Sequence, residues 1–358
     1  MTAQFKPAKR WPVAILGATG AVGQTFIRLL ANHPWFEIAE VAASERSEGK
    51  TYSEAAKWLE GKMPESIARM TVLPTDPARV NSPIVFSALD SSVAGTAELA
   101  FAKSGRFVLS NAKNFRMDAD VPLVIPEVNA SHLQLIDRQR RERGWTGAIV
   151  TNANCAATIA ALALAPLEEK FGIDKLFMMT MQAVSGAGYP GVPSLDILGN
   201  VIPYIADEEP KFEKEMLKLL GRYENENVVL PDMKVSAQCN RVPVEHGHTI
   251  AIAASFHTKI TPEMAIDAIR GWQGDPASRN LPSSPAEPIS LTDDPSRPQP
   301  RRDVNVGNGM TVTVGRVRED PILDIRMVAM GHNTIRGAAG GSVLNAEVLA
   351  ATGRLATA

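Results

Sequence analysis

The chain has 358 residues, 45% of them hydrophobic, which is ample for two separate cores. Its 37 basic and 39 acidic side chains leave a net charge of −2, which argues against nucleic acid or an anionic membrane as a partner. No stretch approaches the roughly 18 uninterrupted apolar residues of a membrane span, the N-terminus lacks an apolar signal core, and two cysteines in different contexts make no disulfide framework, so a soluble cytoplasmic protein is expected.

After a basic lead, Trp11-Pro-Val-Ala-Ile-Leu16 is an apolar run of strand length. The turn Gly17-Ala-Thr-Gly-Ala-Val-Gly23 follows, then a helical pattern from Gln24 to Ala31 and a second strand from Phe36 to Ala43. Strand, glycine turn, helix and strand make a right-handed βαβ unit, the opening of a doubly wound parallel sheet. Further strands are predicted at Ile84–Leu89, Phe107–Ser110 and Ala148–Thr151, with a helix over Gly95–Ser104.

From about Leu176 the texture changes. Strands over Leu176–Ser185, Lys234–Val244, Thr249–Lys259 and Met310–Val317, with helices over Glu208–Leu220 and Pro262–Gly271, suggest a second, α+β domain of mostly antiparallel strands. Residues 281–302 are rich in proline and charge and read as a long surface loop or interface arm. The tail from His332 to Ala350 is a glycine-rich turn opening a helix. The expected division is a Rossmann-type NADP-binding domain of residues 1–153 plus 334–358, and a catalytic and dimerisation domain of residues 154–333.

Gly17, Gly20 and Gly23, with Thr19, Ala21 and Val22 between them, stand where a dinucleotide pyrophosphate would meet a tight turn and a helix N-terminus. The second strand ends at Ala43-Ser-Glu-Arg-Ser47, about where NAD enzymes carry an acid for the ribose 2′-hydroxyl. Ser44, Arg46 and Ser47 suit a 2′-phosphate better, provided Glu45 points away, so NADP is the expected cofactor. Further on, a short buried strand runs through Thr151-Asn-Ala-Asn154 into Cys155, where a helix begins. Unpaired N–H groups at that helix start would favour a thiolate, and would also hold an oxyanion formed when sulfur attacks a carbonyl. Packing is the plainer reading for Cys239.

With the glycine turn, the Asn154-Cys155 turn and a downstream histidine in view, the chain resembles the aspartate-β-semialdehyde dehydrogenase family, especially its archaeal and fungal branch. Other pieces that carry the resemblance are Ser110-Asn-Ala-Lys-Asn-Phe-Arg116, Asp120-Val-Pro-Leu-Val-Ile-Pro-Glu-Val-Asn129, Gln182-Ala-Val-Ser-Gly-Ala-Gly-Tyr-Pro-Gly191, Asn200-Val-Ile-Pro-Tyr204, Arg241-Val-Pro-Val244 with His248, and Arg336-Gly-Ala-Ala-Gly340. The resemblance implies reversible reductive dephosphorylation of β-aspartyl phosphate with NADPH, in the biosynthesis of lysine, threonine and methionine.

It also implies roles. Cys155 would be the nucleophile that carries a thioacyl intermediate, with Asn154 beside it and Gln182 orienting the acyl group. His248 would be acid and base, accepting the thiol proton and later returning one. Its spacing from Arg241 selects it over His246. Arg241 would clamp the substrate carboxylate, and Glu208 would meet the ammonium, with Glu209 as the alternative. Arg116 and Lys211 would bind phosphate, helped by Asn114 or Lys113. Ser185, Gly186 and Asn345 would lie near the nicotinamide. A homodimer or homotetramer is expected, and no metal. Ala156 departs from the serine or threonine that often follows the nucleophile in this family. Malonyl-CoA reductase is the main alternative, N-acetyl-glutamyl-phosphate reductase a weaker one, and a non-catalytic NADP-binding regulator the alternative from another class.

Overall fold

The computed structural model describes residues 5–357. Its first half is a seven-stranded, wholly parallel sheet. In chain order the strands are β1 (Trp11–Leu16), β2 (Phe36–Ala43), β3 (Leu73–Pro74), β4 (Ile84–Ser87), β5 (Phe107–Ser110), β6 (Leu123–Val124) and β7 (Ala148–Asn152). In space they run β3-β2-β1-β4-β5-β7-β6. The order reverses between β1 and β4, which is where ligands of doubly wound sheets bind.

Alternation along these strands explains why they are apolar throughout. Val13, Ile15, Ile84, Phe86, Phe107, Leu109, Ala148 and Val150 enter one core. Ala14, Leu16, Val85, Val108 and Ile149 enter another, with Phe101, Ala102 and Trp145. Successive residues point to opposite faces, so a strand covered on both faces shows a continuous hydrophobic run. Helix Gly340–Ala351, from the far end of the chain, adds Val343, Ala346, Val348 and Leu349 to the first of these cores.

A two-stranded ribbon, β9 (Arg222–Glu224) with β10 (Asn227–Val229), precedes most of the second sheet. That sheet comprises β8 (Ile173–Gln182), β11 (Lys234–Arg241), β12 (His248–Phe256), β13 (Ile289–Thr292), β14 (Val312–Glu319) and β15 (Ile325–Gly331), in the order β11-β8-β12-β15-β14-β13. It is more mixed than expected, because β11 runs parallel to β8 and β13 parallel to β14. Its inner face packs on helix Cys155–Phe171, where Ile159, Leu162 and Ala163 meet Met178, Ile250 and Ala329.

Four differences from the sequence reading concern this half and its neighbour. Residues 281–302 are not purely a loop, since Ile289–Thr292 is an edge strand. Strand Ile325–Gly331 and helix Leu135–Arg143 (LIDRQRRER) are additions that the sequence reading does not contain. The tail does form a helix, but its first turn, Ile335–Ala339, is a π-helix. Among the described residues no helix is long and apolar enough to cross a membrane.

Candidate active site

Cys155 is the first residue of its helix, and Asn154 is the N-cap. The Asn154 side-chain oxygen accepts from the N–H groups of Ala156 (2.9 Å) and Ala157 (3.1 Å). This corrects one expectation. Two of the first-turn donors are already committed to an internal cap, so they are not open to an oxyanion. A π-turn can be wider than an α-turn, and in this chain it brings a backbone close to the cysteine. A Cβ added at Gly337 would lie 2.6 Å from Cys155 Cβ, so no side chain fits there. Asn152 steadies the π-turn by donating to the carbonyls of Gly337 (3.2 Å) and Ala338 (3.3 Å).

The second sheet delivers the groups that face the sulfur. Gln182 ends β8 and pairs in register with Arg241, the last residue of β11. His248 begins β12 on the other side of β8. His248 Nε2 lies 3.1 Å from Cys155 Sγ, while His248 Nδ1 accepts the Ala183 backbone N–H at 3.0 Å. The ring is buried, which pushes its pKa down to about 3, with Arg241 and His332 adding to the effect. Enclosure also pushes the Cys155 thiol up to about 12; Glu208 reinforces this and Arg241 and Arg116 oppose it. With Nδ1 occupied as an acceptor, a neutral His248 carries its proton on Nε2 and points it at sulfur. His248 Nε2 thus stands within hydrogen-bonding reach of the sulfur it is expected to serve.

Glu208, rather than Glu209, faces this group. Its Oε1 accepts from Asn154 Nδ2 (2.7 Å) and Gln182 Nε2 (3.1 Å), whereas Glu209 accepts the Cys239 N–H. Arg241 is buried and donates Nη1 to the Ala183 carbonyl at 2.8 Å. A Cβ at Gly186 would come within 2.9 Å of Arg241 Nη1 and 3.0 Å of His248 Cε1, so this glycine leaves space for both side chains. Lys211 lies half-buried one helical turn after Glu208, without a partner among the described residues.

Arg116 is buried and paired with Glu215 at 2.9 Å, and it donates to the Asn111 carbonyl at 2.8 Å. Glu215 Oε2 also accepts the Asn154 backbone N–H at 2.6 Å. Glu215 thus ties Arg116 to the turn that carries the nucleophile. Lys218, one turn further, spends its ammonium on the carbonyls of Arg116, Asp118 and Val121. Sequence reasoning misses both residues. Glu208, Lys211, Glu215 and Lys218 recur at a three-four-three spacing, which is one face of a helix and is the available signal. Asn114 stands apart, donating to the Ser91 carbonyl, and Lys113 pairs with Asp207 at 3.5 Å.

At the glycine turn, helix Ala21–Leu30 begins at Gly20 with no side-chain cap, which leaves its N-terminus open, unlike that of the cysteine helix. Gly17 has φ +69°, and a Cβ there would meet the Ala88 carbonyl oxygen at 2.5 Å; a Cβ at Gly23 would meet the Gly17 oxygen at 2.3 Å. Both fit a turn pressed against its sheet, with Thr19, Ala21 and Val22 around the open terminus. Ser44, Arg46 and Ser47 form a turn after β2, with Ser44 and Arg46 exposed and Ser47 partly so. A cleft of about 370 Å³ separates the two halves, lined by Ala21, Thr25, Ser185, Tyr189, His246 and Thr334. Ser185 Oγ bonds His246 Nδ1 (3.0 Å) and Asn333 Nδ2 (2.8 Å). These residues fit a dinucleotide laid from the glycine turn across to the Ser185 loop. Asn345 is not with them; it is buried, its amide directed at the Val124 carbonyl and its Oδ1 without a partner among the described residues.

Residues 12–136 match the family model for the semialdehyde dehydrogenase NAD-binding domain, and residues 164–336 match the one for the semialdehyde dehydrogenase dimerisation domain. The chain belongs to the semialdehyde dehydrogenase family. Within the family, it is 49% identical over 341 residues to the aspartate-semialdehyde dehydrogenase of Archaeoglobus fulgidus, covering 95% of this chain and 98% of that one. It is 46% identical to the Schizosaccharomyces pombe enzyme of the same name, covering 94% and 97%. The crystal structure of Candida albicans aspartate semialdehyde dehydrogenase with NADP superposes with a TM-score of 0.87 at 42% identity, covering 96% and 99% of the two chains. The malonyl-CoA alternative finds no support in these matches.

Proposed function

We propose that this semialdehyde dehydrogenase is the NADP-dependent aspartate-semialdehyde dehydrogenase of its organism, with Cys155 as a thioacyl-forming nucleophile. The observation that carries the mechanism is the 3.1 Å approach of His248 Nε2 to Cys155 Sγ beside buried Glu208, Arg241 and the Arg116–Glu215 pair. That cluster suits a small zwitterionic acyl phosphate. Arg241 offers a planar fork for the α-carboxylate and Glu208 a carboxylate for the ammonium. Arg116 and Lys211 are the cations for phosphate. Gln182, bonded to Glu208, orients the acyl group, and Asn154 holds the nucleophile turn.

Gly17–Gly23, with Ser44, Arg46 and Ser47, would hold NADP, and Ser185 and Gly186 would border its nicotinamide. The bound cofactor supplies the hydride. The chain's own part is to form the C–S bond, keep water from the thioester and steady the developing oxyanion.

We assign residues 1–153 plus 334–358 to the cofactor domain and 154–333 to the catalytic and dimerisation domain, a reading supported by the packing of helix Gly340–Ala351 on the parallel sheet. A homodimer or homotetramer in the cytoplasm goes with this assignment. The outer face of the second sheet, with Phe177 47% exposed beside Met179, Ala251 and Ala253, is the apolar surface a second copy would cover. The test is phosphate-dependent reduction of NADP by the purified protein with aspartate semialdehyde. Cys155→Ala should abolish it, and a variant that kept the parent rate would defeat the covalent mechanism.

A further inference from the structure

We infer that Lys218 is a positioning residue of the phosphate site: its ammonium fixes the loop that carries Arg116 and so sets Arg116 against Lys211. The inference rests on the reading of Arg116 and Lys211 as the phosphate cations. These two come from different halves of the molecule. Arg116 lies on the loop between β5 and β6 of the parallel sheet. Lys211 lies on helix Glu208–Leu219, whose Phe212, Met216 and Leu219 enter the core beneath the second sheet. An anion held by both needs their separation fixed, since a misplacement of about 1 Å can cost about 10²-fold in rate.

The loop is tied down on two sides. On one, Arg143 donates to the carboxylates of Asp118 (2.8 Å) and Asp120 (2.6 Å), which joins the loop to a helix of its own half. On the other, the carbonyls of Arg116, Asp118 and Val121 converge on Lys218 Nζ at 2.7, 2.8 and 2.8 Å. An ammonium has three donors, and this cage of main-chain oxygens occupies all of them. Lys218 is only 5% exposed. Burial lowers its pKa to about 8, while Asp118, Asp120 and Glu215 act to keep it charged. A buried cation spent on carbonyls offers no charge to a substrate. What it supplies is the shape of the loop, because three converging carbonyls without a donor would be left unsatisfied and the turn would open.

The state of Arg116 shows what the loop is held for. Its Nη1 is on Glu215 and its Nη2 on the Asn111 carbonyl, while Nε is buried and without a partner among the described residues. The guanidinium is thus oriented by the protein but not saturated by it. Glu215 stands one turn before Lys218, so a single helix holds Arg116 both by its side chain and by its own carbonyl. Lys211 stands four residues before Glu215, on the same face of that helix. One rigid element therefore spaces the two cations, and Lys218 is the part of it that holds the loop backbone.

The test separates phosphate binding from the rest of the enzyme. Lys218→Met keeps the length of the side chain and removes the donors. The KM for phosphate should rise about 10–100-fold, the effect of losing one charge-assisted contact. The KM for the semialdehyde and the affinity for NADP should stay within about threefold of the parent. Lys218→Arg carries the test if the methionine variant does not fold. It keeps the charge, but its donors diverge from a planar fork rather than from one nitrogen, and the KM for phosphate should rise about 3–10-fold.

A third variant asks whether the effect passes through Arg116. In an Arg116→Gln background, the change at Lys218 should raise the KM for phosphate by less than about twofold more, since both act on one contact. An unchanged KM for phosphate in a folded Lys218 variant would overturn the proposal. So would a parallel loss of phosphate, semialdehyde and NADP binding, or full additivity with Arg116→Gln. A parent enzyme that oxidised the semialdehyde without phosphate would overturn the functional reading and this role together, a failure told apart because it shows before any substitution is made.

Discussion

Glu215 gives the sharpest structural prediction, because one carboxylate satisfies two buried donors. Its Oε1 balances the Arg116 guanidinium at 2.9 Å, and its Oε2 accepts the Asn154 N–H at 2.6 Å. The two paired side chains are 10% and 2% exposed, so water cannot replace the lost partner. Breaking a buried ion pair from one side costs about 3–5 kcal/mol. Arg116 would keep its bond to the Asn111 carbonyl, which favours the lower end, but the orphaned Asn154 N–H adds a cost of its own. We expect Glu215→Ala to lose about 4 kcal/mol of unfolding free energy. Glu215→Gln retains the shape and one acceptor, and should lose about 1–2 kcal/mol. Urea unfolding followed by tryptophan fluorescence measures both. A loss below about 1 kcal/mol in the alanine variant, or equal losses in the two, would refute the hub role.

Three further outcomes follow from the site. Gly186→Ala places a methyl group within 2.9 Å of Arg241 and 3.0 Å of His248; it should reduce kcat about 10–100-fold while the melting temperature barely moves, and an unchanged kcat would show that the loop simply yields. Arg241→Lys should raise the KM for the semialdehyde about 10–100-fold and leave NADP affinity, measured by fluorescence quenching, as it was. In the ligand-free protein the Cys155 thiol stands at about 12, so its alkylation by iodoacetamide should be slow at neutral pH and rise about tenfold per pH unit through alkaline solution. Mass spectrometry would follow it, and a rate already level by about pH 9 would contradict the raised value.

Much of the fold is legible where one physical demand dominates a segment. A glycine turn between an apolar strand and a helix, and an asparagine before an alanine-rich run, each have few alternatives, and the helix at Cys155 begins where expected. Helix Leu135–Arg143 is illegible because six of its nine residues are charged and only Leu135 and Ile136 supply an apolar anchor. Ile289–Thr292 is hidden by the prolines around it, and only its pairing with β14 makes it a strand.

At the site, residue identities are readable but their bonding is not. Asn154 stands out as the neighbour of the cysteine, yet its occupation of the helix N-terminus is a rotamer choice that no spacing reveals. The family resemblance puts Asn345 near the nicotinamide; its burial against Val124 is a tertiary fact. Glu215 and Lys218 are legible in principle from helical spacing, but an acid among acids on a charged helix carries no mark of burial.

The adjacency of three strand ends has a mechanical consequence. Arg241, Gln182 and His248 sit on neighbouring strands, in the order β11, β8, β12, so their separations are set by the spacing of hydrogen-bonded strands, roughly 4.7–4.9 Å per step. The sheet works as a ruler. The three side chains keep their mutual distances without any loop closing to assemble them.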